Sequence, residues 1–150
     1  MTYRRIALGI AAIMLATAGM GCGSNTLDSG ELHDKVSGAC DVAHKALTLV
    51  ADPSGADQVR PFLNQSSAIS NQLTRSLKAL KPPSDTQASY GLAVQLVGEQ
   101  AAILSKGAKD LTLGGDPVIV MRSVADQTTE IAQRERVTWE SLGIDACANR

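Results

Sequence analysis

Four stretches of this chain repeat apolar residues at intervals of three and four, and each stretch is closed by proline or glycine. That rhythm places the apolar side chains on one face of a helix and is incompatible with strands, whose faces alternate every second residue. In the first stretch Leu32, Val36, Cys40, Ala43, Leu47 and Val50 form a single seam, Asp28 and Glu31 precede it as a D-x-x-E capping box, and Asp52-Pro53-Ser54-Gly55 ends it. The second carries Val59, Phe62, Ser66, Ile69, Leu73 and then Leu77 or Leu80. Pro61 fits a helix without cost only in its first turn, so the regular part is expected to begin close to it. Lys81-Pro82-Pro83 stops it, because a residue before proline is pushed out of helical geometry.

Ser84 is the expected N-cap of the third stretch, in which Tyr90, Val94, Val97, Ala101, Leu104, Ala108 and Leu111 make the stripe and Leu96 and Ile103 widen it. Gly114-Gly115 closes this helix, and Asp116 followed by Pro117 opens the fourth. Its seam is Met121, Val124, Thr128, Ile131, Thr138 and Leu142, with Trp139 alongside, and Leu142-Gly143-Ile144 reads as a C-terminus with a left-handed glycine. A short tail with Cys147 follows. Long amphipathic helices joined by short turns predict an all-α, antiparallel up-down four-helix bundle over residues 29–150. Aromatic residues are only 3% of the chain, so the core must be built from Ala, Leu, Val and Ile, which suits closely packed helices.

Ahead of the bundle, Arg4 and Arg5 precede an apolar run from Ile6 to Met20, followed by Gly21-Cys22-Gly23-Ser24-Asn25. A basic start, a short apolar stretch and a small-residue exit describe a secretory signal over residues 1–21. The run falls short of the roughly 20 residues that cross a bilayer as a helix. Its end, Ala18-Gly19-Met20-Gly21-Cys22, resembles the lipobox of bacterial lipoproteins, with Gly19 where that family prefers Leu. The resemblance implies cleavage before Cys22 and lipidation, for example with palmitate, of its thiol. The alternative is ordinary cleavage after Ala16-Thr17-Ala18, which would release a soluble protein.

The cysteine count bears on that choice. Three cysteines in an exported chain leave one over. With lipid on Cys22, Cys40 and Cys147 remain as an even pair. Cys147 lies four residues past Gly143, at most about 13 Å of extended chain, and Cys40 faces the seam, so a disulfide between them is expected. Residues 22–28 then form a short tether of at most about 21 Å, which would hold the bundle close to the outer face of the cell membrane. The lipobox-like end, the Leu80-Lys81-Pro82-Pro83 turn and the closing Leu142-Gly143-Ile144-Asp145-Ala146-Cys147 together resemble small secreted proteins and lipoproteins of actinobacterial type. Most of those carry no assigned function, so the likeness implies export, helices and the disulfide, and nothing about activity.

Charge excludes one partner class. Arg4 and Arg5 take two of the 14 basic residues, which leaves the rest of the chain net acidic against 15 Asp and Glu. A mildly acidic domain with no basic run lacks the footprint that nucleic acid requires.

Candidate chemistry is sparse. His33 and His44 are three turns apart on one side of the first helix, about 16 Å along its axis and too far to share a metal. Asp41 and His44 could supply two ligands, but no Glu-x-x-His pair completes a di-iron set, and C-x-x-C-H for haem is missing too. Nor is there a G-x-S-x-G elbow. Glu99, Glu130, Glu135 and Glu140 are spread along the last two helices; only Glu135 falls near a seam, between Ile131 and Trp139, where a structural ion pair across the bundle is expected. Arg75, Lys78 and Lys81 form a small basic row that could touch anionic head groups. The expectation is a non-catalytic module of the envelope without cofactor or metal, with a soluble carrier of a small apolar ligand as the alternative and an enzyme third.

Overall fold

A computed structural model describes residues 26–149 as α1 Ser29–Thr48, α2 Ala56–Lys78, α3 Gln87–Thr112, α4 Pro117–Ser141 and a final helical turn, α5, Asp145–Ala148. The signal segment and Cys22 lie outside the described residues. The four long helices pack against each other, and the described residues contain no strand. Consecutive helices run antiparallel: Leu27 N–H reaches Lys81 O at 2.9 Å across α1 and α2, Ser67 Oγ donates to Ala101 O at 3.1 Å across α2 and α3, and Tyr90 meets Trp139 across α3 and α4.

Local chemistry explains most of the ends. Asp28 Oδ1 accepts the Glu31 amide at 2.8 Å while Glu31 Oε2 accepts the Asp28 amide at 3.2 Å, a complete capping box. Asp116 Oδ1 accepts the amides of Val118 and Ile119, and Pro117 occupies the first position of α4. At the far end of α4, Gly143 has φ +70°, its N–H bonds to Glu140 O, and Ile144 N–H bonds back to Trp139 O. This Schellman turn buries Ile144 and aims the chain into α5.

Two starts differ from expectation. Pro61 sits six residues into α2, because the helix begins at Ala56. The extra turn is held by Gln58 Oε1, which accepts both the amide and the hydroxyl of Ser54, and by burial of Val59. Ser84 does not cap α3: a turn closed by Thr86 N–H to Pro83 O intervenes, and α3 starts after Thr86.

The core falls into two clusters. Toward the α1 start and the α2–α3 turn, Leu32, Val36, Cys40, Leu73, Leu77, Val97 and Trp139 pack together with Ile144 and Cys147. Toward the α3–α4 turn, Val59, Leu63, Ala108, Val120 and Val124 form a second cluster to which α1 contributes nothing. Between them α2 presents Ser66, Ser67, Ser70 and Thr74 inward. Each of these buried polar side chains is small enough to keep α2 and α3 close, and no buried side-chain N or O among the described residues lacks a partner. Gly107 lets α3 approach α4 as closely, since a Cβ there would stand 2.6 Å from Val124 Cγ2.

Two seams are rotated from the expected register. Leu63 is buried where Phe62 was expected, and Val120 where Met121 was; Phe62 and Met121 pack at the cluster's margin. The helix neighbours also differ in one respect. No Cα of α1 lies within 8 Å of one in α4, and α5 is interposed between them as the closing element.

Candidate functional site

Cys40 lies in the middle of α1 and Cys147 on α5, with Cα atoms 5.2 Å apart and the sulfurs at bonding distance. Both are fully buried in the core. Gly143 is the reason they meet: its left-handed turn reverses the chain at the end of α4 and lays α5 against α1.

Beside this crosslink lies Glu135, the one buried charged side chain among the described residues. Trp139 is fully buried, and its Nε1–H donates to Glu135 Oε1 at 3.0 Å, one turn back in the same helix. Glu135 is itself 3% exposed, as its place near the seam predicted, and Trp139 is among the partners of its carboxylate. The Trp139 ring meets Tyr90 edge-on, with centroids 6.0 Å apart and planes at 75°. Tyr90 Oη donates to Leu77 O at 2.8 Å, and burial pushes its phenol up to about 12. Above α5, where α1 and α4 stand apart, a cleft of about 440 Å³ is lined by Leu47, Gln100, Gln133, Glu135, Arg136 and Cys147 among others.

Other predicted candidates do not converge on it. His33, Asp41 and His44 are exposed on α1, and His33 Nδ1 lies 3.3 Å from Asp34 Oδ1. Glu99 accepts from Gln95 Nε2 on α3, Glu140 lies 3.8 Å from Arg136, and Glu130 is exposed. Thus Asp41, His44, Glu99 and Glu135 do not share one cleft. No group of three or more His, Cys, Asp or Glu among the described residues could hold a metal ion.

Two further hollows were not foreseen. A groove of about 570 Å³ between α1 and α2 is walled by Gly38, Ala39, Val42, Ala68, Ile69 and Leu73 among others, with no charged residue on it. A second, also about 570 Å³, runs along α3 beside the α2–α3 turn and is lined in part by Tyr90, Val94, Leu80, Pro82 and Lys78. Neither was legible in the periodicity, which assigns residues to a face but not how closely two neighbouring segments approach along it. The nearest signal was the pair Gly91 and Gly98, two turns apart in a strong helical pattern.

Comparison with protein-family models, curated proteins and solved structures returns no match, so the chain's own residues carry its interpretation.

Proposed function

We propose that this chain is an exported helical bundle, anchored by lipid on Cys22 at the outer face of the cell membrane, which works there by contact as a non-catalytic envelope module. The observation that carries the reading is the position of Leu27. Its amide is bonded to Lys81 O and its side chain packs on the core, only five residues after Cys22. That spacing is at most about 18 Å of extended chain, which would hold the α2–α3 turn and Lys81 at head-group level. Among the described residues no helix is long and apolar enough to cross a membrane, so attachment would rest on the lipid. One myristoyl-sized chain binds membranes only marginally, and a basic residue at the surface adds about 1 kcal/mol.

The test is fractionation with intact-mass measurement. The wild-type chain is expected in the membrane fraction with the mass of a diacylated N-terminal cysteine, and Cys22→Ser in the soluble fraction. An unmodified mature mass starting at Gly19 would replace the anchor with ordinary secretion.

One observation favours a second reading, a carrier of a small apolar ligand. Both grooves fall within the roughly 300–1,000 Å³ of ligand sites, and Tyr90 lies at one of them.

A further inference from the structure

Two glycines, Gly91 and Gly98, line the groove along α3 on one face of the helix. A Cβ on Gly91 would meet nothing within 4 Å, whereas one on Gly98 would touch Thr74 Cγ2 at 3.6 Å. Glycine inside a helix is destabilising relative to alanine. At Gly107 that cost is offset by close packing against Val124 and Leu63; at Gly91 no part of the described protein fills the space. Tyr90 and Val94, both nearly buried, make the floor, and Leu80 and Pro82 wall the end at the α2–α3 turn. From Gln87 to Ala102 the groove follows α3 for about 22 Å. An acyl chain in one leaflet spans about 15 Å, half of the hydrocarbon core.

Charge gives the groove a direction. Lys78 borders it near the turn. An adjoining hollow shares Leu80, Pro82 and Gln87 with it, adds Lys81, and ends at Thr26, four residues from Cys22. The far end carries Glu99, whose carboxylate accepts from Gln95. An anion with a long apolar tail therefore fits one way only, with its head at the lysines and its tail against the aromatic floor.

We propose that this groove receives one acyl chain of an anionic membrane lipid, its head group held by Lys78 and Lys81 and its tail lying on Tyr90 and Val94. The inference rests on the anchored reading only for the side from which the lipid arrives.

Trp139, the only tryptophan, meets the Tyr90 ring edge-on and serves as the reporter. Stearic acid carrying a nitroxide on its chain should quench Trp139 fluorescence saturably in the purified wild-type protein and in the full Cys22→Ser chain. Gly91→Leu, which fills open space and should unfold no earlier than wild type, is expected to weaken the apparent affinity about tenfold. Lys78→Glu should weaken binding of the acid about fivefold and leave the uncharged methyl ester unaffected. Unsaturable quenching, or quenching indifferent to Gly91→Leu, overturns the site. Equal response of acid and ester to Lys78→Glu overturns the anionic head. Quenching confined to Cys22→Ser would mean that the protein's own anchor fills the groove, and overturns a membrane lipid as occupant. If the wild-type chain stays soluble and unlipidated while the variants respond as expected, the groove stands and the anchor falls.

Discussion

Tyr90 ties two helices with one atom. Its hydroxyl donates to Leu77 O in the last turn of α2, where carbonyls run out of helical partners, and there it joins the amide of Leu80. Burial disfavours the phenolate, so the folded protein holds the proton to about pH 12 against an ordinary 10. A raised pKa on an acid that is neutral when protonated means that its stabilisation is full below pH 10 and lost as pH climbs through 12. Tyrosinate absorbance should accordingly titrate near pH 12, with stability falling over that window by something of the order of 2 kcal/mol, and Tyr90→Phe should flatten the fall. A midpoint near 10 in the folded protein would refute this. Glycines give a second contrast at the same scale. Gly107→Ala should lower stability by about 1 kcal/mol in denaturant titration, because stiff Val124 cannot retreat from the new methyl, whereas Gly91→Ala should raise it by about 0.5–1 kcal/mol. Equal effects at the two sites would show that helix propensity alone is at work.

Each long helix is ended by chemistry within a few residues of the end itself. The box of Asp28 and Glu31 satisfies two amides at the start of α1, a helix whose buried face is only Leu32, Val36, Cys40 and Ala43. With so little core contact, α1 should depend on its cap more than its neighbours do. Asp28→Ala is expected to cost about 1 kcal/mol and to speed amide exchange in the first turn of α1. Unchanged exchange there would argue that Leu27 alone holds the start. The failed expectations at this scale, Pro61 and Ser84, share a cause. In each the boundary moved because a further contact forms ahead of the expected start: burial of Val59 in the α3–α4 cluster extends α2 back before its proline, and a local turn from Pro83 to Thr86 delays α3.

Across the whole molecule α1 is the outlying member. It joins the first cluster through Leu32, Val36, Cys40 and Ala43, lies against α2 and α5, and shares no core with the α3–α4 end. The disulfide joins positions 107 residues apart, and the chain-entropy model assigns a loop of that size roughly 4.7 kcal/mol. That is a large share of the 5–15 kcal/mol typical of a domain. Cys147→Ser should therefore lower stability by about 2–4 kcal/mol. Hydrogen exchange should place the loss in α1 and α5 while Leu63, Val120 and Val124 stay protected; uniform loss through all four helices would contradict the division into two clusters.

What the sequence determined by itself was local and periodic: four helical segments, their proline and glycine stops, the caps at Asp28 and Asp116, the turn at Gly143, and the pairing of Cys40 with Cys147 once lipid is assigned to Cys22. Each follows from residues within a few positions of one another, or from parity. What only the tertiary structure decided was rotation and adjacency. Successive helical residues point about 100° apart, so a seam tolerates Phe62 or Leu63, Met121 or Val120, until a neighbouring helix selects one. The place of Glu135 near the seam was legible, whereas its hydrogen bond with Trp139, one turn on in the same helix, was not read from the sequence. The insertion of α5 between α1 and α4, and the open space over Gly91, were not legible, because each exists only where separate segments meet.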